Sequence, residues 1–241
     1  MSGFFVFNGT SSNELGIIVT KPIVRPTWAE ETAEFKLIGN HKIYRQNTGI
    51  YKNADMTVEI AVPDTSESHI QQIYSILHGK GQLSISTAPN EYLNVCIEPL
   101  SPNAIAKSFG LCSVQMTVDP FAYLLDSPTI TISDGSDYTE IENRGTIYCE
   151  PEIRFKPQSV QTVIDVNGAE FTVNTPAGCS FESTIVLDCE EEVAYFIRPE
   201  GQAYPCLQYT YGDFPIFHTG KNYVKFSGTN EIEIKVKERC L

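Results

Sequence analysis

Residues 160–173, VQTVIDVNGAEFTV, set the reading of the whole chain. Two β-patterned runs, 160–166 and 169–173, flank Asn167-Gly168. An Asn-Gly pair supplies the positive φ angles that a tight two-residue turn demands, so the runs read as a hairpin. Working outward, the same short apolar or alternating runs recur, broken by Gly, Pro, Asn, Asp and Ser. They cover 4–7, 15–19, 56–62, 83–86, 92–98, 112–118, 129–133, 152–155, 184–187, 193–197, 223–226 and 231–236. The cleanest alternation puts Met56, Val58, Ile60 and Val62 on one face. The fold class is therefore mainly β.

One segment breaks the pattern. Ile70, Ile73, Tyr74 and Leu77 fall at i, i+3, i+4 and i+7, one apolar face of a helix. Asp64, Thr65 and Ser66 offer an N-cap, Glu67 suits the positive end of the helix dipole, and Gly79 suits the far end. The spacing predicts a helix over 66–78. A second exception is 26–53, which holds Trp28, Glu30, Glu31 and Glu34 but few periodic apolar positions. It reads as a long excursion from the core, an extended arm suited to binding.

A boundary falls at 125–128, where an apolar strand closes on Asp119, Pro120, Phe121, Ala122 and Tyr123. Beyond it the chain is β-patterned with no helix signal. The halves differ in charge, −4 over 1–127 and −9 over 128–241. Two domains follow from this: an α+β domain at 1–127 with one main helix, and a β-sandwich at 128–241. Each is large enough to bury most of its unfolded surface.

Composition narrows the function. With 17 basic and 30 acidic side chains the net charge is −13, which disfavours a sequence-independent grip on nucleic acid. No run approaches the ~18 apolar residues of a membrane span. Residues 1–7 lack the basic and long apolar segments of a secretory signal. Cys96, Cys112, Cys149, Cys179, Cys189, Cys206 and Cys240 are odd in number, widely spaced and free of C-x-x-C pairs. They read as free and mostly buried thiols in a reducing compartment rather than a zinc site.

The candidate chemistry resolves into scaffolding. His69 and His78 sit about 2.5 turns apart on the helix, on opposite sides, and His41 and His218 stand alone. No G-x-S-x-G elbow marks a hydrolase. Asp188, Glu190, Glu191 and Glu192 lack the spacing of a calcium loop and read as a solvated turn. Gly79-Lys80-Gly81 follows a helix instead of preceding one, so it is no phosphate loop. The i, i+2 pairs Glu150/Glu152 and Glu231/Glu233 share strand faces but give only a weak glycosidase signal. Tyr204, Tyr209, Tyr211, Phe214 and Phe217 read first as sandwich core, then as interface, then as a sugar platform. Catalytic, cofactor-binding and metal-ligating residues are expected to be none.

An ordered series of motifs goes further. Phe7-Asn8-Gly9, Leu15-Gly16-Ile17, Leu77-His78-Gly79-Lys80-Gly81 with Leu83, and Asp119-Pro120-Phe121-Ala122-Tyr123 span the first half. The second half has Glu150-Pro151-Glu152-Ile153, Asn167-Gly168, Ile185-Val186-Leu187-Asp188 before Tyr195, Asp213-Phe214-Pro215-Ile216-Phe217, and Gly220-Lys221-Asn222-Tyr223-Val224-Lys225-Phe226. In this order the chain resembles the distal tail protein (Dit) family of long-tailed phages of Gram-positive bacteria, a tail component and baseplate hub. The resemblance implies a ring-forming domain at 1–127, with an extended arm at 26–53, and a galectin-like β-sandwich at 128–241. It implies a structural protein without enzymatic activity or cofactor. Self-association into a homohexameric ring would join the tail tube protein to the tail-tip or tail-associated protein, with receptor-binding proteins as further partners. DNA would pass through the ring without sequence-specific binding, and no membrane is involved. The expected location is the virion tail tip, after synthesis in the host bacterial cytoplasm. A carbohydrate-binding adsorption protein is the alternative.

Overall fold

A computed structural model describes residues 3–36, 38, 41–99 and 110–241. It is mainly β, with a single α-helix among the described residues. The chain divides into two compact units, one running to Leu125 and the other spanning Asp126–Cys240.

In the first unit the strands are β1 (Phe5–Phe7), β2 (Thr10–Ser11), β3 (Ile18–Val19), β4 (Glu30–Lys36), β5 (Ile43–Tyr51) and β6 (Ala54–Ala61). After helix α1 (Glu67–Ile76) come β7 (Gly79–Ile85), β8 (Ala88–Ile97) and β9 (Leu111–Leu124). An antiparallel sheet runs β2-β1-β7-β8-β9-β6-β3, and β4 pairs with β5 in a separate two-stranded sheet. Alternation explains the large sheet: Met56, Val58, Ile60 and Val62 all point into the core with Val95, Ile97, Val114 and Val118. Ile70, Ile73 and Leu77 seal that core from the helix side. Asp64 accepts the Ser66 N–H at 2.9 Å just ahead of the helix. That hydrogen bond favours the carboxylate and holds the Asp64 pKa below its ordinary value.

The Asp-Pro-Phe-Ala-Tyr stretch has a physical reason. Across the β8–β9 ladder, Val95 pairs with Val118 but Leu93 pairs with Ala122. β9 thus carries extra residues opposite a short step of β8, a bulge. Pro120, which has no N–H to give a ladder, sits inside it. Phe121 takes φ 73°, a left-handed conformation that a bulky residue rarely adopts and that costs about 1–3 kcal/mol.

The second unit contains β10 (Thr129–Ile132), β11 (Thr139–Asn143), β12 (Glu152–Pro157), β13 (Gln161–Val166), β14 (Ala169–Asn174) and β15 (Thr184–Asp188). It continues with β16 (Val193–Ile197), β17 (Ala203–Pro205), a 3-10 turn at Leu207–Tyr209, β18 (Thr210–Tyr211), β19 (Gly220–Ser227) and β20 (Thr229–Lys235). Two sheets, β10-β20-β12-β15-β16-β17 and β11-β19-β13-β14-β18, share one core. Ile153, Ile185, Leu187 and Ile232 from the first meet Ile141, Ile164, Phe171 and Phe226 from the second. The Asn167-Gly168 hairpin forms as expected, with φ 57° and 88° at the turn and Val166 paired to Ala169. Asn222, fully buried, accepts from the His218 N–H and donates to the His218 and Gly220 carbonyls at 2.8 and 3.0 Å. The Gly-Lys-Asn motif is therefore a loop lock.

Three expectations need correction. Only Ile18–Val19 of the 15–19 run is strand. Gly16 and Ile17 give their N–H groups to Asn13 and Ser12 in a turn, and the buried Leu15 and Ile17 pack as loop residues. The helix ends at Ile76 with Leu77 as cap, because Gly79 already opens β7. Strand β11 was not expected at all. Residues 100–109 and the tip of the 26–53 segment, at 37, 39 and 40, lie outside the described residues, as do Met1 and Ser2.

Candidate functional site: an exposed arm and the groove at its root

The 26–53 segment holds the β4–β5 hairpin. Its backbone pairs from Thr32↔Asn47 to Lys36↔Ile43, with an irregularity between Glu30 and Thr32. Alternate residues share a face, so Ala33, Phe35, Tyr44 and Gln46 lie on one side and Thr32, Glu34, Arg45 and Asn47 on the other. Neither side is covered. Phe35 and Tyr44 stack at 5.6 Å between ring centroids, yet both remain exposed along with Ile43 and Ile50. The other face holds Arg45–Glu34 at 2.7 Å, and Asn47 Nδ2 donates to Glu30 at 2.9 Å. Exposed ion pairs contribute about 0–1 kcal/mol, and an isolated two-stranded hairpin is marginal in water.

The arm is firmly fixed at its root. Tyr51 meets Phe121 edge-on at 5.0 Å. Asn53 Nδ2 donates to Asp119 Oδ1 at 3.3 Å, and the Lys52 N–H donates to the Ala29 carbonyl at 3.3 Å. The bulge in β9 is thus what grips the arm, and its strained Phe121 is positioned by that contact. On the incoming side Ile23 and Trp28 are buried, and the Arg25 guanidinium lies 5.7 Å from the Trp28 ring and 3.3 Å from Glu91. Between the incoming segment and the start of β6 lies a groove of about 640 Å³. Val24, Arg25, Pro26, Asp55 and Thr57 are among the residues that line it.

The remaining candidate residues are dispersed. His41, His78 and His218 are exposed and His69 is half-buried; His78 Nδ1 donates to the Tyr74 carbonyl at 3.0 Å. Among the described residues no group of three His, Cys, Asp or Glu is placed to hold a metal ion. No helix among them is long and apolar enough to cross a membrane. Gly79, Lys80 and Gly81 begin β7. A Cβ on Gly81 would lie 2.4 Å from the Asn8 side chain and 2.6 Å from the Phe7 ring, so glycine is required there by close approach. Phe217 is fully buried, and Tyr204, Tyr209 and Phe214 pack against the core; Tyr211 is exposed. Most of the late aromatics therefore contribute to the core.

All seven cysteines are free. Burial pushes Cys149 up to about 12 and Cys206 up to about 11, and Cys189 higher still. The thiolate is the reactive form, so iodoacetamide at pH 8 is expected to alkylate exposed Cys96 first. Cys149, Cys189 and Cys206 should react only after denaturation. Peptide mass spectrometry checks the order, and early labelling of Cys149 would contradict the packing.

Sequence reasoning missed one ionic network, because its members are far apart in the chain. Fully buried Glu238 accepts the Arg144 backbone N–H at 2.7 Å and its guanidinium through Nε at 3.0 Å and Nη2 at 2.5 Å. Arg144 also reaches Asp126 at 3.1 Å. Its pKa is raised, chiefly by the Glu238 hydrogen bonds. Lys237 pairs with Asp188 at 2.9 Å and Glu190 at 3.2 Å. Burial disfavours its charge, but those two carboxylates outweigh it and raise the pKa. Arg239 binds Glu150 at 2.8 Å and lies over the Tyr148 ring at 4.9 Å. Half of the expected solvated turn at 188–192 is therefore engaged: Asp188 and Glu190 are paired, while Glu191 and Glu192 face solvent.

No family model matches the chain, and no curated protein matches it in sequence. Its fold is nevertheless that of a phage tail hub protein, the class the motif series pointed to. It is similar to the crystal structure of SPP1 Dit (gp 19.1), described as a paradigm of the hub adsorption apparatus in phages infecting Gram-positive bacteria. The TM-score is 0.67 at 16% sequence identity, over 97% of this chain and 98% of that one.

Proposed function

We propose that this protein is a structural distal tail protein of a long-tailed phage or prophage, without enzymatic activity. Copies assemble through their first units, here 1–127, into a ring hub, with six subunits as the working stoichiometry. One face of the ring meets the tail tube protein and the other the tail-tip protein. The second unit is a galectin-like sandwich that serves as a scaffold, on which receptor-binding proteins dock. The observation that carries this reading is the end-to-end fold match to a hub protein. The uncovered arm is consistent with it, since a heterologous contact repeated around an axis closes a ring. The net charge of −13 suits a channel wall that repels the DNA backbone in transit.

Negative-stain microscopy of the purified protein, alone and mixed with tube and tip proteins, tests it. Rings with a central channel are the expected result. Monomers that persist in the presence of both partners would overturn the reading.

A further inference from the structure

The outward face of the β10-β20-β12-β15-β16-β17 sheet holds a depression, and strand register places its walls. Thr131 lies opposite Glu233, Glu233 opposite Arg154 and Arg154 opposite Val186, one row across four strands. Glu231, Lys156 and Thr184 stand two residues further along their strands and share that face. A volume of about 330 Å³ lies among Thr131, Arg154, Lys156, Thr184, Glu231 and Glu233, at the small end of ligand sites. β10 is the last strand on its side of the sheet, so the depression opens at the margin.

Its side chains are polar but unevenly engaged. Glu152 holds Arg154 at 2.6 Å and Glu182 holds Lys156 at 3.6 Å; neither carboxylate lines the depression. The carboxylates of Glu231 and Glu233 form no hydrogen bond or ion pair among the described residues, although Glu233 faces Arg154 across the ladder. An anion would meet these two carboxylates at close range, and a cation would meet Arg154 and Lys156. A metal ion finds no group of three His, Cys, Asp or Glu among the described residues. An apolar group would desolvate charges and return no hydrogen bond. A neutral hydroxyl both donates and accepts. It can donate to Glu231 or Glu233, accept from Arg154 or Lys156, and do either with Thr131 and Thr184.

We infer that this depression binds a neutral saccharide, one or two pyranose rings wide, through its hydroxyl groups. The inference goes beyond the scaffold role of the second unit and does not depend on ring assembly. Hydroxyls spaced around a pyranose match the alternation of carboxylate and cation from strand to strand. Glu231 and Glu233 hold the sugar and do not cleave it. They stand on one strand and one face, whereas hydrolysis needs two carboxyl groups flanking the bond that breaks. A longer glycan can run on past β10 at the open margin. A few hydrogen bonds exchanged for those to water give weak binding, with a Kd of about 1 mM for a single ring.

Saturation-transfer NMR on the full chain tests this with four probes at about 20 mM: methyl glucoside, methyl galactoside, methyl mannoside and N-acetylglucosamine. Transfer to at least one sugar is expected. Replacing both carboxylates, Glu231→Ala with Glu233→Ala, should weaken that binding about tenfold or more. Both residues are exposed, so the circular dichroism should be unchanged. Thr184→Val is the second variant. It keeps the side-chain shape, removes the hydroxyl and should weaken the same sugar about two- to tenfold. No transfer to any of the four, or transfer unchanged in both variants, would overturn the inference. Tighter binding of spermidine than of any sugar would make the depression a cation site and overturn it too. Binding of a neutral Gly-Ser peptide with no sugar bound would make it a protein interface, with the same result. The ring reading stands or falls separately.

Discussion

Cutting the arm back to its base should abolish ring assembly and leave the monomer almost as stable as before. Glu30 and Tyr51 are paired across the two strands, so replacing 31–50 with Gly-Gly joins them by a two-residue turn of a favoured length. Tyr51, Asn53 and the Lys52–Ala29 hydrogen bond keep their places at the root. What is lost is surface that the single chain leaves in water: Phe35, Ile43, Tyr44 and Ile50. Such residues contribute little to folding because they are not removed from solvent. The melting temperature should move by only a few degrees, since a change of about 1 kcal/mol shifts a domain of this size by about 2–8 °C. Size-exclusion chromatography with light scattering should show monomer at every concentration at which the full chain assembles. Rings from the shortened chain would mean that the arm plays no part in assembly.

A comparably large effect on stability is expected at Arg144. Its removal strands the Glu238 carboxylate, which is fully buried, with one backbone N–H as its remaining donor. Breaking a fully buried pair from one side costs about 3–5 kcal/mol; the Arg144 side chain is 43% exposed, which lowers the expected cost to about 2–3 kcal/mol. Arg144→Ala should therefore destabilise the second unit by about that amount in urea unfolding. Glu238→Gln added to that variant removes the uncompensated charge, and a coupling of about 1–3 kcal/mol between the two sites is expected. A loss below about 1 kcal/mol for Arg144→Ala would show that water reaches Glu238 and that the network is only a surface feature. The first unit should respond little, which separates this defect from one in assembly.

How far the sequence was legible follows from how local each signal is. The Asn167-Gly168 turn, the Met56–Val62 alternation and the Ile70–Leu77 stripe are set by neighbours a few residues away, and all three formed. Leu15 and Ile17 misled because burial was read as strand, although their backbone bonds close a turn. The arm gave no period because neither of its faces meets a core within the chain, and periodicity records only burial that happens. Asp-Pro-Phe-Ala-Tyr was legible as the close of a strand, but neither its bulge nor what the bulge holds was. The contact of Phe121 with Tyr51 spans two separate strands and leaves no local trace. The Arg144–Glu238 pair, 94 residues apart, could not be inferred from spacing.

Pro22 and Pro26, in the segment that lines the groove at the arm's root, bear on exchange with solvent. The segment that carries them lacks two donors, and among the described residues no backbone hydrogen bond joins it to Asp55 or Thr57. The amides of those two residues are expected to exchange faster than those of Met56 and Val58, which face β9.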